Sequence, residues 1–126
     1  MEDFKIKQTE DTPEVSFTAS SATYLIKGKS FPENPSEYYF PIYKQLEEFI
    51  SSADKLTLES DLEYINSSSV KMIFAIFNLL NTRHNNNPKG EFKIIWKFKS
   101  NDTIMENKGK EFEEFLDLPF ELVLQG

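Results

Sequence analysis

From Thr23 onward the chain switches repeatedly between a two-residue and a three-to-four-residue hydrophobic period, and this order of periods restricts the fold more than any other feature. Thr23–Lys29 alternates as a strand does, and Val15–Phe17 pairs with it through the small-residue turn Thr18-Ala-Ser-Ser-Ala22. Glu37 to about Ser52 places Tyr39, Ile42, Tyr43, Leu46, Phe49 and Ile50 on one stripe of a helix, with Pro35 suited to its start. Lys55 to about Tyr64 alternates again, with Leu56, Leu58, Leu62 and Tyr64 on one face and Thr57, Glu59, Asp61 and Glu63 on the other. A second helix runs from about Ser67 to Arg83 and ends in the breaker His84-Asn-Asn-Asn-Pro-Lys-Gly90. Glu91–Lys99 sets Phe92, Ile94, Trp96 and Phe98 opposite Lys93, Ile95, Lys97 and Lys99. Asn101 or Asp102 caps a third helix reaching about Leu116, with apolar positions Ile104, Met105, Phe112 and Phe115 and a weakening Gly109 inside it. Leu118–Gln125 closes the chain as a strand, with Phe120, Leu122 and Leu124 alternating, and Phe4 and Ile6 fit a short edge strand near the beginning.

Strand–helix–strand units imply parallel strands joined by right-handed crossovers. A parallel sheet covered on both faces would carry strands apolar on both faces, whereas the two central strands here are charged on one. The pattern therefore predicts an α/β fold of two layers: a mixed, mainly parallel sheet with about three helices on one face. Residues 1–126 are expected to form one domain, since this length supports one core. On the open face Glu59, Asp61 and Glu63 are expected beside Lys93, Lys97 and Lys99, each cross-strand pair contributing roughly 0.2–1 kcal/mol.

Net charge is −7 with a pI near 4.8, which argues against nucleic acid or an anionic membrane surface as a partner. The chain has no cysteine, no apolar run of membrane-spanning length and no leader-like start, so a cytoplasmic protein is expected. Enzyme chemistry finds little to work with. His84, the one histidine, falls in the Asn-rich helix exit and reads as a solvent-exposed residue favourable to the helix dipole. No glycine-rich phosphate loop is present, and no serine has an adjacent base. The row Glu59, Asp61 and Glu63 offers the one alternative, a small carboxylate-dependent metal-binding enzyme, but three acids two residues apart on a strand read more simply as a solvated face. No cofactor is expected.

The informative junction is Leu62-Glu-Tyr-Ile-Asn-Ser-Ser-Ser-Val-Lys71, where a strand gives way to the most apolar helix in the chain. Asn66 and Ser67–Ser69 suit a helix N-terminus, where side-chain oxygens accept from free backbone N–H groups and negative charge is favoured. Val70, Ile73, Phe74, Phe77 and Leu80 supply a core stripe; Met72, Ile76 and Leu79 widen it, either as further core or as a rim that a partner covers. Upstream, Phe31-Pro-Glu-Asn34 is a rigid loop feeding the first helix.

These two motifs at this separation resemble the SiaC family of small bacterial regulatory phosphoproteins, over a span from about Thr12 to the final strand. The resemblance implies a STAS-like fold and a non-enzymatic role in a partner-switching pathway. The family's motif carries a phosphorylated threonine after the asparagine, and that position falls on Ser67, with Ser68 and Ser69 as rivals. Asn66, Ser68, Ser69 and Lys71 match its neighbours. It further implies that Phe31, Pro32, Glu33, Asn34, Tyr64, Asn66, Ser68, Lys71 and Met72 meet partners. Those partners are a Ser/Thr kinase of histidine-kinase-like fold, a PP2C-type phosphatase and, in the family's characterised system, a diguanylate cyclase controlling biofilm formation. An anti-sigma factor antagonist of related fold is the nearest alternative within the same regulatory class.

Overall fold

The computed structural model describes residues 1–125. Its elements are β1 (Phe4–Ile6), β2 (Glu14–Thr18), a short 3-10 turn (Ala19–Ser21), β3 (Thr23–Ser30), α1 (Pro35–Ile50), β4 (Lys55–Ile65), α2 (Ser67–Asn86), β5 (Glu91–Lys99), α3 (Thr103–Glu114) and β6 (Phe120–Gln125). The six strands lie side by side in chain order. β1–β2 and β2–β3 are antiparallel, and β3–β4, β4–β5 and β5–β6 are parallel. Because every crossover steps in the same direction, one crossover hand stacks all three helices on one face. The expected mixed two-layer architecture is thus realised.

Between the layers lies a core dominated by aromatic and branched side chains. Val15, Tyr24, Ile26, Leu56, Leu58, Ile94 and Trp96 come from the sheet; Tyr39, Leu46, Ile73, Ile76, Phe77 and Leu80 come from the helices, and all are fully buried. At about 1.5–3 kcal/mol for each large apolar side chain removed from water, this layer is the main stabilising term. The rings of Phe77, Trp96 and Phe112 meet edge to face at 5.2–6.1 Å. Ile76 belongs to the core, while Met72 and Leu79 are half-buried against it.

Several expectations need correction. Tyr64 does not join Leu56, Leu58 and Leu62 on the core face; it is 51% exposed and Ile65 is buried in its place. The cause is a β-bulge: Gly28 pairs with Leu62 but Lys29 pairs with Tyr64, so Glu63 is an extra residue that reverses the alternation. Gly28 has φ +116°, a backbone conformation other residues resist, and it stands where the register shifts. α2 continues to Asn86, so His84 lies inside the helix and is half-buried, with an Nδ1 that has no partner among the described residues. α3 ends at Glu114 and β6 begins at Phe120. Ile104, Phe115 and Leu124, expected on apolar faces, are 70%, 72% and 59% exposed.

On the open face the predicted acid–lysine pairing is partial. Lys97 meets Glu59 at 3.4 Å, but Lys93 turns to Glu121 at 3.9 Å, and Asp61 stands in register with Lys27. Asp61 and Glu63 make no ion pair with Lys99 among the described residues.

A candidate switch site at the carboxyl ends of the parallel strands

The carboxyl ends of β3 and β4 deliver two helix N-termini to the same edge of the molecule, the usual place for function in open α/β sheets. α2 begins at Ser67 because Asn66 caps it: its Oδ1 accepts the Ser69 backbone N–H at 2.8 Å. α1 begins at Pro35, a ring that needs no N–H partner in the first turn. Its cap is Asn34, whose Oδ1 accepts the Glu37 N–H at 3.2 Å while its Nδ2 donates to Glu37 Oε2 at 3.2 Å.

The three serines separate at once. Ser67 and Ser68 are exposed, at the first two positions of α2. Ser69 is fully buried. Its hydroxyl accepts from Ser30 Oγ at 3.0 Å, and Ser30 Oγ is also in short contact with the Tyr39 hydroxyl. Since Ser30 has one hydroxyl hydrogen and spends it on Ser69, Tyr39 must donate to Ser30. The chain runs Tyr39 to Ser30 to Ser69, each member buried. Burial pushes the Tyr39 phenol well above its usual range, partly offset by the Ser30 hydrogen bond, so the neutral donor is the form present. Ser30 also accepts the Asn66 backbone N–H on its carbonyl at 3.0 Å. Sequence reasoning missed Ser30 and Tyr39. Their signal was a hydroxyl at a core-facing position, Ser30 following Tyr24, Ile26 and Gly28 and Tyr39 within the apolar stripe of α1.

Around this buried chain the surface is mixed. Phe31, 38% exposed, meets Tyr64 edge to face at 5.8 Å, so the bulge at Glu63 and the loop after β3 together form an exposed aromatic pair beside Ser67. Pro32, grouped with these residues as a partner contact, is instead buried and anchors the loop from beneath. Glu33 and Asn34 are exposed. Asn66 is half-buried with its side-chain oxygen occupied as a cap. Lys71 is exposed one turn beyond Ser67, and neither it nor Lys29, the register partner of Tyr64, is in an ion pair among the described residues. Met72 is half-buried. The backbone of Phe31 is held from the amino-terminal segment, its N–H donating to Asp11 O at 2.9 Å, and the Tyr38 hydroxyl donates to Pro13 O at 3.2 Å.

Exposed hydroxyls on a helix N-terminus, two lysines outside any ion pair among the described residues, and an aromatic pair thus gather at this edge. Among the described residues no three acids or histidines converge to hold a metal ion, and Glu59 of the acidic row is already bound to Lys97. No helix of the described residues is long and apolar enough to cross a membrane.

Comparison with known proteins yields one family. The model for the SiaC family regulatory phosphoprotein matches residues 6–125. By sequence, an uncharacterized protein of Pseudomonas aeruginosa (strain UCBPP-PA14) is 26% identical over 121 residues, spanning 95% of this chain and 94% of that protein. By structure, apo-SiaC from Pseudomonas aeruginosa superposes with a TM-score of 0.88 at 26% identity, covering 98% of this chain and 99% of that one. A chain from the crystal structure of the Pseudomonas aeruginosa diguanylate cyclase SiaD in complex with its activator SiaC gives 0.89 at 25% identity, covering 98% and 100%.

Proposed function

The chain belongs to the SiaC family of regulatory phosphoproteins, and we propose that Ser67 is its phosphoacceptor and that the surface formed by Phe31, Glu33, Asn34, Tyr64, Ser68, Lys71 and Met72 is where it meets its partners. In this reading the 126-residue chain acts as one non-enzymatic regulatory domain in the cytoplasm. A Ser/Thr kinase of histidine-kinase-like fold adds the phosphate and a PP2C-type phosphatase removes it. Its target is a diguanylate cyclase, as SiaD is for the Pseudomonas aeruginosa protein it resembles.

The observation that carries the assignment is the separation of the serines. Ser67 stands exposed at the first position of α2, whereas Ser69 is buried in the hydroxyl chain. Ser68 is exposed as well, and the resemblance of the motif favours Ser67. A phosphate on Ser67 adds about −1.5 to −2 charges and three acceptor oxygens. The helix N-terminus and Lys71, which is in no ion pair among the described residues, accommodate that charge, so the fold tolerates it. The effect falls on the partner, through the desolvation cost of a dianion beside the Phe31–Tyr64 pair.

Mass spectrometry of the protein isolated from cells tests the acceptor: phosphate is expected on Ser67, and phosphate confined to residues outside 67–69 overturns the assignment. A Ser67→Ala form should stay folded and bind its target constitutively, while Ser67→Asp should bind weakly.

A further inference from the structure

Ser30 occupies an unusual node. Its carbonyl accepts the N–H of Asn66, its hydroxyl reaches Ser69 at 3.0 Å and receives Tyr39, and the next residue is Phe31. The loop after β3 and the first turn of α2, the two halves of the docking surface, are fastened together at this node, where Ser30 and Ser69 are 39 residues apart in sequence. We propose that Ser30, Tyr39 and Ser69 form a positioning bracket that couples the modified turn of α2 to the Phe31–Asn34 loop, so that charge at Ser67 is felt in the loop as well as at the turn.

The physical basis is occupancy. The Ser69 N–H is taken by Asn66 Oδ1, and the Ser69 hydroxyl lies at the end of a polarised chain with no water-exposed member. An anion introduced at Ser67 competes for the N–H groups of the first turn. Any shift of Asn66 or Ser69 moves a group that Ser30 holds, because a buried hydroxyl left without its partner is costly. Ser30 has no slack to absorb the change, since its carbonyl, hydroxyl oxygen and hydroxyl hydrogen are all engaged. From Ser30 the displacement passes directly into Phe31 and to α1 through Tyr39. The amino-terminal tie from Asp11 O to the Phe31 N–H gives the loop a fixed second point about which to turn.

The inference rests on Ser67 as the modified residue but is tested without the kinase. Amide NMR spectra of uniformly labelled protein are compared for Ser67→Glu in the otherwise native chain and in Ser30→Ala and Tyr39→Phe backgrounds. In the native background Ser67→Glu is expected to shift the amides of Phe31, Glu33 and Asn34. In both variant backgrounds those loop shifts are expected to shrink, more in Ser30→Ala, which removes the Ser30–Ser69 hydrogen bond, than in Tyr39→Phe, which removes only the bond from Tyr39, while the shifts within residues 66–71 persist. A purely structural role would leave the loop response unchanged. Loop shifts of equal size in the variant backgrounds, or none in the native one, overturn the proposal. Tyr39→Phe keeps the ring and removes only the hydroxyl, so it serves if Ser30→Ala does not fold. Loop coupling with no phosphate on Ser67 in cells would refute the acceptor assignment and leave the bracket standing; phosphate on Ser67 without coupling would do the reverse.

Discussion

A buried hydroxyl has opposite consequences depending on whether it has a partner. Ser30, Tyr39 and Ser69 are bonded in a chain, so removing the central Ser30 hydroxyl takes this partner from both of its neighbours. Tyr24 is the contrary case: its ring is fully buried and its hydroxyl has no partner among the described residues. Tyr24→Phe should therefore leave stability unchanged or raise it by about 1 kcal/mol, read as an unaltered or higher denaturant midpoint. A fall of similar size would mean that the hydroxyl is bonded in solution. At this scale sequence and structure part company most. A serine triplet at a helix start announces a cap, yet nothing local to Ser67-Ser-Ser69 distinguishes the two exposed hydroxyls from the buried one; the partner that decides it, Ser30, lies 39 residues from Ser69.

Elements were legible where their signal is local. Pro35 at the first turn of α1, Asn66 before α2 and Asp102 before α3 each mark a helix start because capping needs only neighbouring residues. The bulge was not legible, since Leu62-Glu-Tyr64 reads as unbroken alternation until the register of β3 against β4 is known. Nor was the exposure of Ile104, Phe115 and Leu124, because periodicity gives a face and not what covers it. Gly109 shows a third kind of hidden constraint. Inside α3 it reads as a weakness, yet a Cβ there would come within 2.4 Å of Trp96 Cδ1 and 2.6 Å of a Leu122 methyl. Its absence lets α3 approach the sheet closely enough for Trp96 Nε1 to donate to Met105 O at 2.9 Å. Despite the better helix propensity of alanine, Gly109→Ala should destabilise by about 1–3 kcal/mol through overpacking, measured by chemical denaturation. A stabilised variant would show that α3 can retreat without loss.

For the whole molecule the two buried phenols make stability depend on alkalinity. Burial raises both Tyr24 and Tyr39 above the ordinary phenol value of about 10. The native state therefore holds protons that the unfolded chain gives up. Their contribution is complete below about pH 10 and is lost as pH climbs from there toward the raised native values. Guanidinium unfolding at stepped pH should give a flat midpoint up to about pH 9.5 and a falling one above, with the fall reduced by Tyr24→Phe combined with Tyr39→Phe. An unchanged slope in the double variant would place the alkaline sensitivity elsewhere.

The strand order also has a consequence for how the chain is made. Because the sheet is laid down in the order of synthesis, each helix and strand leaving the ribosome finds its docking edge already present. No strand has to be inserted between two that have paired. The bracket at Ser30 draws only on residues up to the first turn of α2, all of which precede β5, α3 and β6 in the chain. The recognition surface is thus built from the first two-thirds of the chain alone, and proximity labelling of the Phe31–Tyr64 region in stalled chains, with enough further chain attached to clear the ribosome, would show whether it forms without β6.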